Sequence, residues 1–309
     1  MDELAAGIDI GGTNITYGLV DRHGKVIARK GLKTHDFPEV KELVKTISDG
    51  IAAQITEARK EFSEVKLIGI GIGAPNGNPY SGSIEYATNL VWKGIIPLVS
   101  MFTELTGVNC KLTNDAKAAT LGELIFGAAK GMKDILVITL GTGLGGGIIS
   151  NGELLYGSDG FAGEIGHVIL VPDGRLCGCG RKGCLETYCS ATGLVTTYRE
   201  LNTEAAAAIE AREIADRATN GEAAAIEAFR LTGERLGFAL ANSVIYTSPE
   251  AIFLFGGLIR AGELLFKPTR ESFQRNLLRN FKKDLKILPS VLHESDAAIL
   301  GAASLIWKK

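Results

Sequence analysis

The chain has 309 residues, 46% hydrophobic and 22% charged, with 33 Lys and Arg against 35 Asp and Glu for a formal net charge of −2. That balance fits a globular protein with a real core, in one large or two ordinary domains. It excludes a basic footprint for nucleic acid or an anionic membrane, and no apolar run approaches the roughly 20 residues that span a bilayer.

The first residues run almost directly into a strand, with no basic or cleavable leader pattern, so the expectation is a soluble cytoplasmic protein. Five cysteines, four of them from Cys177 to Cys189, do not resemble a secreted disulfide framework.

Residues 5–10, 15–21 and 25–33 predict three strands, the last two joined by the turn Asp21-Arg22-His23-Gly24. Pro38 opens an amphipathic helix through about Phe62, with Val40, Leu43, Val44, Ile47, Ile51 and Ile55 at helical spacing. A strand over Lys66–Ile72 leads into Gly73-Ala74-Pro75-Asn76-Gly77. A helix near 95–106 precedes a strand over Val108–Leu112, and Asn114-Asp115 stands at the start of an Ala-rich helix. Strands over 134–140 and 146–150 repeat the first hairpin around a second glycine loop. Helices are predicted over 189–201, 205–219 and 221–246. Ala251–Phe255 reads as a buried strand running into Gly256-Gly257, with a helix from about Glu263 and a last one over Asp296–Trp307. The repeated strand–glycine–strand plan implies two α/β lobes with a cleft between them. We place a small domain at 1–116, onto which 296–309 packs back, and a large domain at 117–295.

Two glycine-rich loops carry the chemistry: Asp9-Ile10-Gly11-Gly12-Thr13-Asn14 and Leu140-Gly141-Thr142-Gly143-Leu144-Gly145-Gly146-Gly147. Each follows a strand, and glycine lets backbone N–H groups approach an anion without a Cβ in the way. Two such loops, each with a hydroxyl residue (Thr13, Thr142), point to a nucleotide polyphosphate, read here as ATP. Asp115 can serve either as a helix N-cap or as the base that takes a proton from an attacking hydroxyl. Glu164, His167 and Glu186 crowd near the turn Gly157-Ser158-Asp159-Gly160 and suit hydroxyl recognition. His167, Cys177, Cys179 and Cys184 have the ligand types and number for tetrahedral structural zinc, around the knuckle Gly180-Arg181-Lys182-Gly183. Cys110 and Cys189 read as buried thiols.

Together these motifs resemble the ROK family of sugar kinases and repressors, within the actin-like ATPase superfamily. The likeness covers nearly the whole chain: Asp9-Ile10-Gly11-Gly12-Thr13, Asn114-Asp115-Ala116, Gly141–Gly147, Gly163-Glu164-Ile165-Gly166-His167, Cys177–Glu186 and Leu254-Phe255-Gly256-Gly257. It implies a two-lobed, ribonuclease H-like α/β fold with duplicated mixed sheets and a central cleft. By resemblance, Asp115 is the base, and Asn89, Asn114, Glu164, His167 and Glu186 bind sugar hydroxyls. Gly11, Gly12, Thr13, Gly141, Thr142, Gly143, Gly256 and Gly257 contact ATP. Asp9 positions Mg2+ through water, and His167 uses one ring nitrogen for sugar and the other for Zn2+. The sugar loop looks most like that of glucokinase members, although Asn76 stands where relatives often have glycine. Kinases for N-acetylglucosamine, N-acetylmannosamine or fructose are the alternatives. A sugar-sensing repressor is the distant one, since such proteins carry an added N-terminal helix-turn-helix for which this sequence leaves no room. Family members are often dimers or tetramers, which implies a homo-oligomer.

Overall fold

A computed structural model of the chain describes residues 2–62, 64–281 and 284–308. In chain order, its elements begin with β1 (Asp2–Ile10), β2 (Asn14–Asp21), β3 (Val26–Lys33), α1 (Val40–Ala58) and β4 (Val65–Ala74). The short strands β5 (Gly77–Asn78), β6 (Ser83–Glu85) and β7 (Ile95–Ile96) follow, then α2 (Leu98–Thr106), β8 (Cys110–Asn114) and α3 (Asp115–Phe126). The chain continues with β9 (Ile135–Leu140), β10 (Leu144–Ser150), β11 (Glu153–Leu154), α4 (Glu186–Cys189), α5 (Ala191–Leu201), α6 (Ala211–Thr219) and α7 (Ala223–Thr247). It ends with β12 (Ala251–Phe255), α8 (Glu263–Asn276), β13 (Lys286–Pro289) and α9 (Glu294–Trp307). No described helix is long and apolar enough to cross a membrane.

The residues form two compact units: Met1–Gly131 with Leu154–Ala162 and Val291–Lys309, and Met132–Glu153 with Gly163–Ser290. The expected division near 116 therefore moves to Gly131. The reason is α3, which packs on α9: a Cβ on Gly301 would lie 2.9 Å from the Ala118 carbonyl. A contact between segments so far apart in sequence leaves no local mark. The C-terminal helix α9 belongs to the first unit.

In the first unit a mixed sheet runs β3-β2-β1-β4-β8. β1 and β2 form an antiparallel hairpin, and β1, β4 and β8 are parallel. From Leu4 to Ile8, β1 is buried at every position, as a strand covered on both faces must be. Leu4, Ala6, Ile8 and Ile10 face a core that holds Leu43, Val44, Ile47 and Ile51 of α1. Ala5 and Val20 face Ile299 and Ala303 of α9. α9 lies so close that a Cβ on Gly71 of β4 would collide with the Ala302 carbonyl oxygen.

The second unit repeats this connectivity. Its sheet runs β10-β9-β12-β13, with the two-residue β11 beyond β10. β9 and β10 form the hairpin, and β9, β12 and β13 are parallel. The duplicated mixed sheets expected from the two glycine hairpins are present, strand for strand.

Three expectations change. The helix expected over 205–219 begins only at Ala211, because Ala205–Ala208 has helix propensity but no large side chain to bury. The first helix ends at Ala58, short of Phe62. The helix over 189–201 is two pieces broken at Ser190, which caps the second by accepting from the Gly193 N–H at 3.0 Å.

Candidate active site

Parallel register assembles the first group of residues. Asp9 pairs with Gly73, Gly73 with Thr113 and Ala74 with Asn114, so the carboxyl ends of β1, β4 and β8 form one row. Such strand ends are where open α/β sheets bind ligands.

The loop after β1 folds back on itself, its Gly11 N–H donating to the Asn14 carbonyl at 2.9 Å. Buried Thr34 secures it: the hydroxyl donates to Gly11 O at 2.7 Å and the backbone N–H to Thr13 O at 3.0 Å. A Cβ on Gly12 would lie 2.6 Å from the Asn89 carbonyl, so only glycine admits that approach. Asn89 itself is exposed. Asn76 is held at φ 52° and its side chain donates to Glu85 O at 3.0 Å, so an asparagine does the work of a left-handed glycine there.

The cap expected at Asp115 falls one residue earlier. Asn114 is the N-cap of α3, its side-chain oxygen accepting from Ala116 N at 2.9 Å and Lys117 N at 3.3 Å. Asp115 accepts from Ala116 N at 2.8 Å. Its side chain is exposed and reachable by a ligand. Enough protein surrounds it to raise the carboxyl above its ordinary range, against the pull of the Ala116 N–H, Lys117 and the Asn114 side chain. Burial, and after it the charge of Asp115, push the Asp9 carboxyl up to about 7. Two carboxyls raised above their ordinary range at one row of strand ends are the expected surroundings of a proton acceptor or a cation.

The second unit holds the remaining residues. The loop after β9 closes with Gly141 N donating to Gly143 O at 3.1 Å. The start of α5 grips it: Ala191 N donates to Gly141 O, and the Thr192 hydroxyl to Thr142 O, both at 2.9 Å. The Glu186 carboxylate accepts from Leu144 N at 3.0 Å, and a Cβ on Gly143 would lie 2.6 Å from it. Glu186, expected as a sugar ligand, thus also fixes the glycine loop. Glu164 caps and His167 ends a one-turn helix in which His167 N donates to Glu164 O at 3.1 Å. Gly256, at φ 105°, ends β12 and leads into Gly257.

The knuckle is a tight hairpin, with Cys177 N donating to Arg181 O at 2.8 Å and Gly180 N to Cys177 O at 2.9 Å. It brings a ring nitrogen of His167 and the sulfurs of Cys177, Cys179 and Cys184 within 4.8 Å of one another. Cys177 Sγ is 3.7 Å from His167 Nδ1, and Cys179 Sγ 3.7 Å from Cys184 Sγ. Zinc bonds of about 2.3 Å to sulfur place tetrahedral ligand atoms about 3.7 Å apart, so the donor set fits that metal. Tyr188 backs the knuckle between two guanidinium groups, Arg175 and Arg235, 4.6 and 4.8 Å from its ring centre. Cys110 and Cys189 are buried, as expected; burial pushes Cys189 up to about 12. Sequence reasoning missed Thr34, Thr192 and Lys117. Only Lys117, a charge inside a buried helical face, left a signal that could have been found.

Residues 5–309 match the ROK family model. The chain is 34% identical to a glucokinase of Halalkalibacterium halodurans, over 99% of this chain and 95% of that one. It is also 34% identical to a glucokinase of Thermotoga maritima, over 98% and 97%. Its structure superposes on a ROK family glucokinase from Streptomyces griseus in complex with glucose and AMPPNP, with TM-score 0.81, 34% identity and 98% of each chain covered. This chain belongs to the ROK family. Its two sheets of matching strand order are the α/β architecture of the actin-like ATPases.

Proposed function

We propose that the chain is an ATP-dependent hexose kinase that phosphorylates the 6-hydroxyl of glucose. The observation that carries this reading is Asp115: a ligand-accessible carboxylate at the row of strand ends, relieved of capping by Asn114 and flanked by Asp9. The S. griseus relative, with glucose and AMPPNP bound, supplies the substrate class.

In this reading Asp115 accepts the proton of the sugar 6-hydroxyl as that oxygen attacks the γ-phosphorus of ATP. The bond to the bridging oxygen breaks, its electron pair leaves with ADP, and the proton rests on Asp115 until product departs. The glycine loops Gly11–Thr13 and Gly141–Gly143 offer backbone N–H groups to the phosphates, and Gly256-Gly257 packs against the nucleoside. Asn89, Glu164, His167 and Glu186 meet the other sugar hydroxyls; Asn114 acts mainly by orienting Asp115. Asp9 would hold hydrated Mg2+, which neutralises phosphate charge when bound. His167, Cys177, Cys179 and Cys184 would hold Zn2+, which fixes the imidazole and the knuckle. A cytoplasmic location and a homo-oligomer complete the reading.

The test is a panel of glucose, N-acetylglucosamine, N-acetylmannosamine and fructose assayed by coupled ADP release, with Asp115→Asn alongside. Glucose should be preferred, and the variant should keep its fold and lose about 10²–10⁴-fold in turnover. Preference for an acetamido sugar overturns the glucose assignment. Near-normal turnover of the variant overturns the role of Asp115, and operator DNA binding at physiological salt would favour a regulator instead.

A further inference from the structure

Lys117, in the first turn of α3, is 1% exposed and ranks among the largest fully buried side chains. Its neighbours Ala116, Ala118, Thr120 and Leu121 are also buried. An ammonium stripped of water is costly unless charge or hydrogen bonds compensate it. At such a position methionine or leucine would fill the space without that cost, and departures of this kind concentrate at functional sites.

Two interactions contribute to that compensation. The Lys117 ammonium donates to the Gly160 carbonyl at 3.2 Å, across 43 residues of sequence. It also lies within electrostatic range of Asp115 and favours that carboxylate's charged form. Gly160 closes the turn Gly157–Gly160, at φ 90°, where a Cβ would lie 2.6 Å from Asn78 Oδ1. The same turn is fastened at two more carbonyls. Asn78 Nδ2 donates to Asp159 O at 3.0 Å, and the Tyr80 hydroxyl to Gly157 O at 2.6 Å. Three side chains from two segments, Asn78 and Tyr80 after β4 and Lys117 on α3, thus hold three carbonyls of one four-residue turn, and Lys117 is also the cation next to the acid.

We propose that Lys117 is a positioning residue for phosphoryl transfer, fastening the helix that carries Asp115 to the 157–160 turn while supplying a fixed positive charge beside that acid. The turn and the base then move as one piece, and the turn helps to seat the hexose whose hydroxyl Asp115 must meet. This inference rests on the kinase reading above.

The experiment compares Lys117→Met, which keeps the shape without the charge, with Lys117→Arg, which keeps the charge. Each is normalised to folded protein by circular dichroism and thermal melting. For Lys117→Met, kcat with glucose should fall 10- to 100-fold, the KM for glucose should rise at least threefold, and the KM for ATP should stay within twofold. Lys117→Arg should return kcat to within fivefold of the natural chain. A folded Lys117→Met with kcat within threefold of normal overturns the proposal, as does equal impairment of the two variants. Should Lys117→Met fail to fold, Tyr80→Phe releases the same turn from its exposed side. It should raise the KM for glucose at least threefold, and an unchanged value overturns the proposal. Asp115→Asn assayed in parallel separates the failures. Full turnover there removes the kinase reading itself, whereas its loss beside an unaffected Lys117→Met removes only this inference.

Discussion

Asp9 is destabilising in the ligand-free protein, and replacing it with asparagine exposes the cost. Its carboxyl rises from 3.8 to about 7 on folding, through burial first and the charge of Asp115 second. Between those values the folded state holds a proton that the unfolded chain has released, so stability falls as pH climbs through the window. Below roughly pH 4 both states are protonated and the effect vanishes; above roughly pH 7 it is complete. At about 1.4 kcal/mol per unit, the shift is worth up to about 4 kcal/mol. Asp9 keeps some contact with water, which brings the working figure to about 2–4 kcal/mol. Asp9→Asn should therefore match the natural chain at pH 4 and exceed its stability by about 2–4 kcal/mol at pH 8, or several degrees in Tm. Both tryptophans, Trp92 and Trp307, belong to the unit that carries Asp9. Urea titration followed by tryptophan fluorescence therefore reports the relevant transition, even if the two units unfold separately. A stability gap that stays flat from pH 4 to pH 8, or that closes as pH rises, refutes the reasoning.

Gly71→Ala should cost about 3 kcal/mol in urea unfolding, because its new methyl meets the backbone of α9, which cannot yield as a side chain could; a change under 1 kcal/mol would show that α9 is loosely seated. The natural chain should carry one zinc per molecule by elemental analysis. Cys179→Ser should lose that zinc, melt at lower temperature and bind glucose more weakly, since His167 serves both sites in the proposed reading. Metal-free protein with unchanged glucose affinity would separate the knuckle from the sugar. Thr34→Val should raise the KM for ATP several-fold with little change in that for glucose, because it frees Gly11 O and leaves the rest of the loop in place; equal effects on both substrates would count against a phosphate role for Gly11–Thr13.

Much of the site was legible because its signals are short in sequence. Glycine after a strand, Asn-Asp before a helix and cysteines two and five residues apart each report a local geometry. What escaped was long-range. β13 is a four-residue edge strand ending in Pro289, and only pairing with Ala251–Leu254 makes it a strand. β5, β6 and β7 are too short to display any period. Capping rules pointed to Asp115, and only atomic positions showed that the N-cap is Asn114, which accepts from Ala116 N and Lys117 N. Thr34 grips a loop more than twenty residues away, and nothing near it in the chain announces that.

Among the described elements α9 is synthesised after all the others, yet it covers one face of β1. While the ribosome works through the intervening residues, Ala5 and Val20 wait without their cover, and the nascent first unit is incomplete until α9 emerges. Messages cut short anywhere upstream of α9 would yield chains with an open apolar sheet face, ready prey for chaperones and proteases. The order of synthesis thus makes the arrival of α9 a condition for closing that sheet face.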